Sequence, residues 1–476
     1  MIFKIDPLVV FFTSLSERVI LPGVIVSVVM LILTGILGRF FCGWVCPLGR
    51  LIDLVGAFKT KKRILNDAQN KRIRRFKYFI LGSVVIAAIF GVQVAWLYDP
   101  LVITARFISL NCIPGVTFLI DKCFVWVIQN FNLYGSVYDF YRTLKASFLG
   151  INIYYFANST AIFTFFFVVV IFALSMTRIW CRMLCPLGAI YGLTSKPAFM
   201  ERVVDGCIQC GKCHQHCRMG AIKEGAGYVK GECILCMDCV YDCPVGAEKF
   251  VWLPKRTSSS ISPRPVGKET TGSGGNISRR NFLIFFVISI CSASFWKSLV
   301  WGEVRAVTGD SSGSVIRPPG ALKEREFVDR CIRCGNCMKV CITNGLQPVM
   351  MQAGIEGVWT PALMPEIGAC EYNCNLCGNV CPTGAIPKLP LEIKKKAKLG
   401  MAYVDKSICI PWKHQDECIV CEEQCPIPDK AIKLEETVVG GRRFLQPVVD
   451  KDLCTGCGKC QYACPVRPVR AIVIKV

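Results

Sequence analysis

Four apolar runs are found along the chain, and three of them precede the cysteine-rich part. They cover residues 20–37, 79–97, 161–176 and 282–300. A helix needs about 20 apolar residues to cross a hydrocarbon layer about 30 Å thick, and each run approaches that length with its flanks. The hydrophobic fraction of 53% and the mean hydropathy of +0.44 agree with membrane segments. The pattern therefore predicts an α-helical membrane domain.

The loops between the first three runs differ in charge. Residues 39–77 contain 11 Lys and Arg against 2 acids, whereas residues 99–160 contain 4 against 3. Because basic loops stay in the cytoplasm, the first loop is predicted to be cytoplasmic and the second to lie outside. In the second loop, Asp121 and Lys122 interrupt the apolar run 113–131. This favours an amphipathic helix at the outer interface, with a re-entrant hairpin as the alternative.

The middle of the chain contains a linker and a second signal. Residues 256–277 are rich in Ser, Gly and Pro, which predicts a flexible linker. The sequence SRRNFL at 278–283 then resembles a twin-arginine export signal, and an ordinary transmembrane helix with two arginines at its cytoplasmic end is the alternative. Both interpretations place the following residues outside. No clear A-x-A cleavage site follows, so we expect a fourth membrane anchor.

Cysteines carry the chemistry that the sequence predicts. Of the 31 cysteines, 24 form six quartets, and four of these follow the spacing C-x2-C-x2-C-x3-C. Three thiolates on one tight loop can bind three irons of a cubane, while the fourth reaches the neighbouring cluster. The quartets are Cys207, Cys210, Cys213 and Cys217; Cys233, Cys236, Cys239 and Cys243; Cys331, Cys334, Cys337 and Cys341; Cys370, Cys374, Cys377 and Cys381; Cys409, Cys418, Cys421 and Cys425; and Cys454, Cys457, Cys460 and Cys464.

This spacing predicts six 4Fe–4S clusters as metal centres. Zinc usually takes two separated Cys pairs, and a disulfide framework is typical of short secreted chains. In the first two quartets we expect Cys217 and Cys243 to exchange clusters. In the last four quartets, exchange between successive quartets and nested pairing are both open.

Two further cysteine pairs form an internal repeat, C-x3-C-P-L-G. They are Cys42 with Cys46, and Cys181 with Cys185, each just after an apolar run that enters the cytoplasm. Residues i and i+4 share one side of a helix, so the sulfurs of a pair can point in one direction. We predict a redox-active cofactor site, either a further metal centre or reversible disulfides. Packing by small buried cysteines is the structural alternative.

Several function classes are excluded or disfavoured. The three histidines, His214, His216 and His414, lie outside the apolar runs, so a membrane haem b held by two histidines is excluded. No nucleotide-binding glycine motif is found. Residues 1–300 contribute +18 of the net charge of +22, and their position beside apolar runs favours a membrane surface over nucleic acid. The expected diffusible partner is therefore the quinone pool. Polar groups near the outer ends of the runs that could contact quinone are Glu17, Arg18, Asp99 and Arg106.

The motifs resemble a known pair of proteins joined end to end. Residues 1 to about 255 resemble the NapH/MauN type of membrane ferredoxin, with C-x3-C-P pairs and two clusters. Residues 278–476 resemble the NapG/MauM type of polyferredoxin, with a twin-arginine signal and four clusters. The resemblance implies a quinol dehydrogenase that feeds a periplasmic reductase, often through a cytochrome.

The expected fold is multi-domain, with an α-helical membrane domain and small α+β modules like bacterial ferredoxins. The predicted segments are the membrane domain at 1–200, a cytoplasmic two-cluster module at 201–255, the linker at 256–277, the anchor at 278–304 and a periplasmic four-cluster domain at 305–476. We expect a prokaryotic inner-membrane subunit of a larger complex that oxidises quinol and reduces a periplasmic cytochrome or reductase. Alternatives are an assembly factor for a metalloenzyme, or transfer between a cytoplasmic ferredoxin and quinone.

Overall fold

The computed structural model describes residues 2–57, 67–132, 134–145, 155–225, 227–252, 315–439 and 442–476. The predicted linker and the twin-arginine-like anchor lie outside the described residues. The chain divides into two compact units, Met1–Thr104 with Thr164–Ser298, and Ala105–Phe163 with Leu299–Val476. The second unit includes residues 105–163, which lie within the segment 1–200 of the predicted membrane domain.

The first three apolar runs contribute to helices whose ends follow local backbone signals. The run at 20–37 is helical only from Val24 to Leu37, because Pro22 and Gly23 precede it and Gly23 has φ +129°. The run at 79–97 belongs to a helix that ends at Ile89, before Gly91 with φ +77°. The helices of this part of the chain are Pro7–Glu17, Val24–Leu37, Pro47–Ala57, Asp67–Ile89, Ala95–Tyr98, Pro100–Phe107, Ile113–Phe131, Ser136–Leu144, Ser159–Ser175 and Pro186–Thr194.

One helix among the described residues is both long and apolar enough to cross a membrane, the 32-residue helix Pro100–Phe131. A π-helical turn at Ile108–Cys112 joins its two halves. Because the helix runs on through Ile113–Phe131, the alternative of a re-entrant hairpin there is wrong. Asp121, which interrupts the apolar run, forms an ion pair with Lys145 at 2.7 Å.

The cysteine quartets lie in small α+β modules. In the first, Met200–Val204 pairs antiparallel with Glu248–Trp252, so the first and last strands close the module. Met401–Val404 pairs in the same way with Ile472–Lys475. The other antiparallel pairs are Leu346–Pro348 with Pro361–Leu363, and Ile432–Val439 with Arg442–Val449.

Short helices complete these modules, and most of them carry one of the cysteines. They are Lys212–His216, Asp238–Tyr241, Glu324–Arg330, Asn336–Lys339, Leu376–Asn379, Leu391–Lys396, Ile410–Lys413, Val420–Glu423 and Lys459–Ala463. Short 3-10 helices occur at Ile2–Lys4 and Lys230–Glu232. The expected fold of small ferredoxin-type modules is confirmed.

Candidate iron–sulfur sites

The cysteine loops with the regular spacing share one backbone conformation. The residue before the second cysteine and the residue after it both have positive φ, between +53° and +84°. Such turns direct successive backbone N–H groups into one concavity, which favours an anionic cluster. The residues are Gln209 and Gly211, Leu235 and Met237, Arg333 and Gly335, and Gly456 and Gly458.

Cavities in the described residues show which cysteines lie together. Four cavities are each lined by three cysteines from one quartet and the fourth cysteine of another. We number the sites 1 to 6 in chain order of the quartet that supplies three of the four cysteines. Site 2 is Cys233, Cys236 and Cys239 with Cys217; site 3 is Cys331, Cys334 and Cys337 with Cys381; site 4 is Cys370, Cys374 and Cys377 with Cys341; and site 5 is Cys409, Cys418 and Cys421 with Cys464.

The remaining cysteines complete the exchange. Cys425 lies in one core cluster with Cys454 and Cys460, and Cys457 interacts electrostatically with both Cys425 and Cys454, which gives site 6. Cys207, Cys210, Cys213 and Cys243 remain for site 1, where Cys207 and Cys210 are exposed. In the C-terminal unit, successive quartets therefore exchange their fourth cysteine, and the open alternative of nested pairing is wrong.

The sites fit a cluster of iron and sulfide. Burial raises the pKa of Cys236, Cys334, Cys377 and Cys421 to about 12. Such thiols are protonated at neutral pH, and binding of iron displaces the proton. Among the described residues, no group of three or more His, Cys, Asp or Glu side chains is arranged to hold a single metal ion. A cubane binds its four thiolates through four separate irons, so they do not have to meet at one point.

Backbone amides also donate to the fourth cysteine of an exchanged pair. The N–H of Ala221 lies 3.2 Å from Sγ of Cys217, and the N–H of Ala247 lies 3.3 Å from Sγ of Cys243. Hydrogen bonds to cluster sulfurs are one way in which a protein adjusts the reduction potential.

The two C-x3-C-P motifs each form a π-helical turn followed by a new helix. The turns are Phe41–Val45 and Trp180–Leu184, and the helices start at Pro47 and Pro186. Proline suits the first helical position because its missing N–H would have no partner there. Cys46, Cys181 and Cys185 are buried and Cys42 is partly buried. Negative charge on Cys42, Cys46 and Cys181 raises the pKa of the Cys185 thiol. The four sulfurs are therefore close enough to interact, so the structure brings the two pairs together.

An arginine lies three residues before the first cysteine of each motif. The guanidinium of each arginine reaches the other motif. A Cβ on Gly188 would lie 3.1 Å from Nη2 of Arg39, and a Cβ on Gly49 would lie 3.5 Å from Nη1 of Arg178. Each guanidinium thus packs against the glycine of the other C-P-L-G sequence. Both arginines are fully buried. The sequence reasoning missed them, although the longer repeat R-x2-C-x3-C-P-L-G gives the signal.

Site 2 lies directly against these motifs. Cys42 and Cys181 pack in one cluster with Cys217, Cys233 and Cys236. Trp44 Nε1 donates to the Leu235 carbonyl at 2.9 Å. A Cβ on Gly43 would lie 2.2 Å from the Ile234 carbonyl oxygen, so only glycine permits this approach.

Buried ion pairs fix the same contact. Glu232, the residue before Cys233, lies 3.1 Å from Arg39 and 2.5 Å from Lys77. Burial alone would raise the pKa of Glu232, but Lys77 and Arg39 outweigh it and hold the pKa below its usual range. Burial, together with the charge on Arg39, lowers the pKa of Lys77 to about 8.

A second network joins the other motif to the same module. Asp53 lies 2.5 Å from Arg178 and 2.6 Å from Arg218, and Arg218 also pairs with Asp238. Nothing in the spacing of these residues signals the network, because its members come from separate parts of the chain.

Two family models match the chain, and both are described as a 4Fe–4S binding domain. One matches residues 19–64, 159–203 and 377–399, and the other matches residues 447–470. The first two matched segments contain the C-x3-C-P motifs. No solved structure matches the chain.

Curated relatives match parts of the chain. Ferredoxin-type protein NapG of Escherichia coli K12 is 36% identical over 162 residues, which are 33% of this chain and 69% of NapG. The methylamine utilization ferredoxin-type protein MauM of Methylorubrum extorquens is 38% identical over 160 residues, which are 32% of this chain and 70% of MauM. The putative electron transport protein YccM of Escherichia coli K12 is 26% identical over 232 residues, 47% of this chain and 54% of YccM.

Proposed function

The chain belongs to the family of NapG and MauM ferredoxin-type proteins and is an iron–sulfur electron-transfer protein, and we propose that it takes its electrons from membrane quinol and delivers them to a periplasmic redox partner. The observation that carries this proposal is the direct packing of site 2 on the C-x3-C-P motifs. It connects a ferredoxin module to the helices that we expect in the membrane.

Six 4Fe–4S clusters are the proposed cofactors, one at each numbered site. Each cluster supplies one-electron transfer, and the protein sets the distances between them. The exchanged fourth cysteine supports this assignment, because it forces two neighbouring clusters into one module.

The contacts in the C-terminal unit support a linear order of sites 3, 4, 6 and 5. Cysteines of sites 3 and 4, Cys331 and Cys377, pack against one core cluster. The N–H of Cys370 in site 4 donates to the carbonyl of Cys457 in site 6 at 2.8 Å. Cysteines of sites 5 and 6, Cys409 and Cys454, share another core cluster. Site 3 and site 5 are thus the two ends of the proposed series of clusters.

The C-x3-C-P pairs are proposed to form one redox centre, with a further metal centre favoured over disulfides. Four buried cations, Arg39, Lys77, Arg178 and Arg182, lie around the motifs, and the first three pair with Glu232 or Asp53. Burial raises the pKa of the Cys181 thiol, and the charges on Arg178 and Arg39 partly offset this effect.

Buried donor atoms beside the motifs also support a bound group. Arg39 Nε, Arg182 Nε and Trp180 Nε1 have no hydrogen-bond partner among the described residues. A buried polar atom of this kind normally has a partner. A group held by the four cysteines would give these donors one.

The proposed topology places the C-terminal domain in the periplasm, with sites 1 and 2 in the cytoplasm. Residues 105–163, most of which belong to the loop 99–160 that its charge predicts to lie outside, pack with the C-terminal residues. Asn344 and Gln347 both donate to the Tyr155 carbonyl, Gln347 at 3.0 Å. In this arrangement the first part of the chain corresponds to a membrane ferredoxin of the NapH/MauN type, fused to its polyferredoxin partner.

Cluster content and quinol reactivity test the proposal together. Anaerobically purified full-length protein should contain about 24 iron and 24 sulfide, four of each per cube. A menaquinol analogue should then reduce the clusters, and their visible absorbance should fall. Half the iron, stoichiometric zinc, or full clusters that quinol leaves oxidised would contradict the proposal.

A further inference from the structure

Two buried aspartates, Asp6 and Asp99, stand at the starts of two helices. Asp6 accepts a backbone N–H of the helix Pro7–Glu17 at 2.9 Å, and Asp99 accepts one of the helix Pro100–Phe107 at 2.7 Å. Both side chains are 0% exposed. A helix N-terminus stabilises negative charge, so both helices favour a carboxylate at this place.

The two carboxyl groups also face each other, and we call them the carboxyl pair. They lie within hydrogen-bonding distance, and burial together with the charge on Asp99 raises the pKa of Asp6 well above its usual range. A carboxylate can only accept hydrogen bonds, so a bond between two carboxyl groups requires a proton on one of them. Two adjacent carboxyl groups therefore share one proton and can take up a second.

Capping alone does not call for such a pair. Serine, threonine and asparagine cap helices about as well as aspartate, and they bring no like charges together. Other carboxylates of the same unit, Glu232, Asp53 and Glu248, each form an ion pair with arginine or lysine. These cations outweigh burial and hold the three pKa values below their usual range. Such groups stay ionised and are poor proton acceptors.

A buried tyrosine connects the carboxyl pair with the cysteine motifs. Tyr191 lies on the helix that follows the second C-x3-C-P motif and is fully buried. It interacts electrostatically with Asp6 and Asp99, and also with Cys42 and Cys46. Its Oη has no hydrogen-bond partner among the described residues. Because a buried hydroxyl normally has a partner, this one points to a bound group with a polar oxygen.

We propose that this place binds the head group of quinol, with Tyr191 donating to a quinol oxygen and the carboxyl pair accepting the quinol protons. Oxidation of quinol to quinone breaks two O–H bonds and releases two electrons and two protons. The electrons enter the iron–sulfur protein, and each proton passes to the carboxylate of the pair, which releases it before the next arrives. The inference rests on the proposed function, in which quinol is the electron donor.

Infrared spectroscopy of the full-length protein tests the shared proton without quinol. The native protein should show the C=O stretch of a buried carboxylic acid, shifted in D2O. Asp6→Asn and Asp99→Asn should each remove this band, because the remaining carboxyl group loses the partner with which it shares the proton. Asp139→Asn is the matched control, since Asp139 is exposed in the first turn of its own helix, and it should keep the band.

The role of the pair in quinol oxidation is tested by the rate of cluster reduction. Proton transfer by a positioned group typically contributes at least about 100-fold, so Asp99→Asn should lose about that factor with quinol. Tyr191→Phe should also be slower. Because it removes only a hydroxyl without a described partner, its fold should stay intact. Dithionite needs no proton acceptor, so rapid reduction by dithionite shows that the clusters of each variant are intact.

Two outcomes would overturn the inference. One is an infrared band that is missing from the native protein or kept in both aspartate variants. The other is a native rate with quinol in both Asp99→Asn and Tyr191→Phe. If Asp99→Asn does not hold its full iron content, the rate of Tyr191→Phe decides. A native protein that does not react with quinol would contradict the proposed function and the quinol site together, whereas the band of the carboxyl pair would persist.

Discussion

Buried arginines lie beside both site 2 and site 3, and their described contacts differ. At site 2, Arg39 is paired with Glu232, and Arg178 is paired with Asp53. At site 3, Arg106 contacts a backbone carbonyl and an aromatic ring. The carboxylates at site 2 neutralise buried charge and join the C-x3-C-P motifs to the ferredoxin module. The contact of Arg106 instead attaches the helix that starts at Pro100 to the cysteine loop of site 3.

The largest expected effect is the loss of the carboxylate at site 2. Glu232→Gln leaves Arg39 and Lys77 buried without their common partner. Removal of one partner from a buried ion pair typically costs about 3–5 kcal/mol. We expect a lower melting temperature and loss of iron from the first module, measured by thermal unfolding and iron analysis.

Glu224→Gln is the matched control, because Glu224 is exposed in the same module. It should leave both quantities unchanged. Equal stability of Glu232→Gln and the native chain would mean that the ion pairs do not fix the contact at site 2.

The sequence predicts the ligands better than their surroundings. The quartets and the C-x3-C-P pairs follow from local spacing. The positive φ angles of Gln209 and Gly211, on either side of Cys210, are consistent with the quartet spacing. The arginine three residues before Cys42 and Cys181 was recognisable only as an extension of the repeat. The pairing of Asp53 with Arg218 depends on tertiary contacts 165 residues apart in sequence, so no local pattern reveals it.

The contacts of the loop 99–160 also do not follow from the sequence. Charge and apolar length predict only the side of the membrane on which a loop lies. The hydrogen bonds of this loop to Asn344 and Gln347 involve the backbone of Tyr155 and carry no sequence signal. The pairing of the C-terminal quartets likewise follows only from the cysteines that line each cavity.

A smaller effect is expected where the two C-x3-C-P motifs meet. Gly188→Ala places a methyl group 3.1 Å from Nη2 of Arg39. Overpacking in a close-packed site typically costs about 1–3 kcal/mol. We expect a reduced melting temperature, with a smaller loss than for Glu232→Gln.

Gly56→Ala is the control for this substitution, since nothing lies within 4 Å of its added methyl group. It lies in the helix Pro47–Ala57 and should be neutral or stabilise by up to about 1 kcal/mol. If the Gly188→Ala protein were as stable as Gly56→Ala, Arg39 would have moved away freely. Its packing against Gly188 would then contribute nothing to stability.

The most direct test of the account is whether the C-x3-C-P cysteines connect quinol to the clusters. Serine variants of Cys42, Cys46, Cys181 and Cys185 are compared with Cys123→Ser, which removes an exposed cysteine outside all motifs. The measurement is the rate of cluster reduction after addition of quinol, in protein with its full iron content in the six quartets. Each of the four variants is expected to lose quinol-dependent reduction, while Cys123→Ser keeps the native rate. Native rates in all four would show that the pairs are packing elements and would contradict the proposed path.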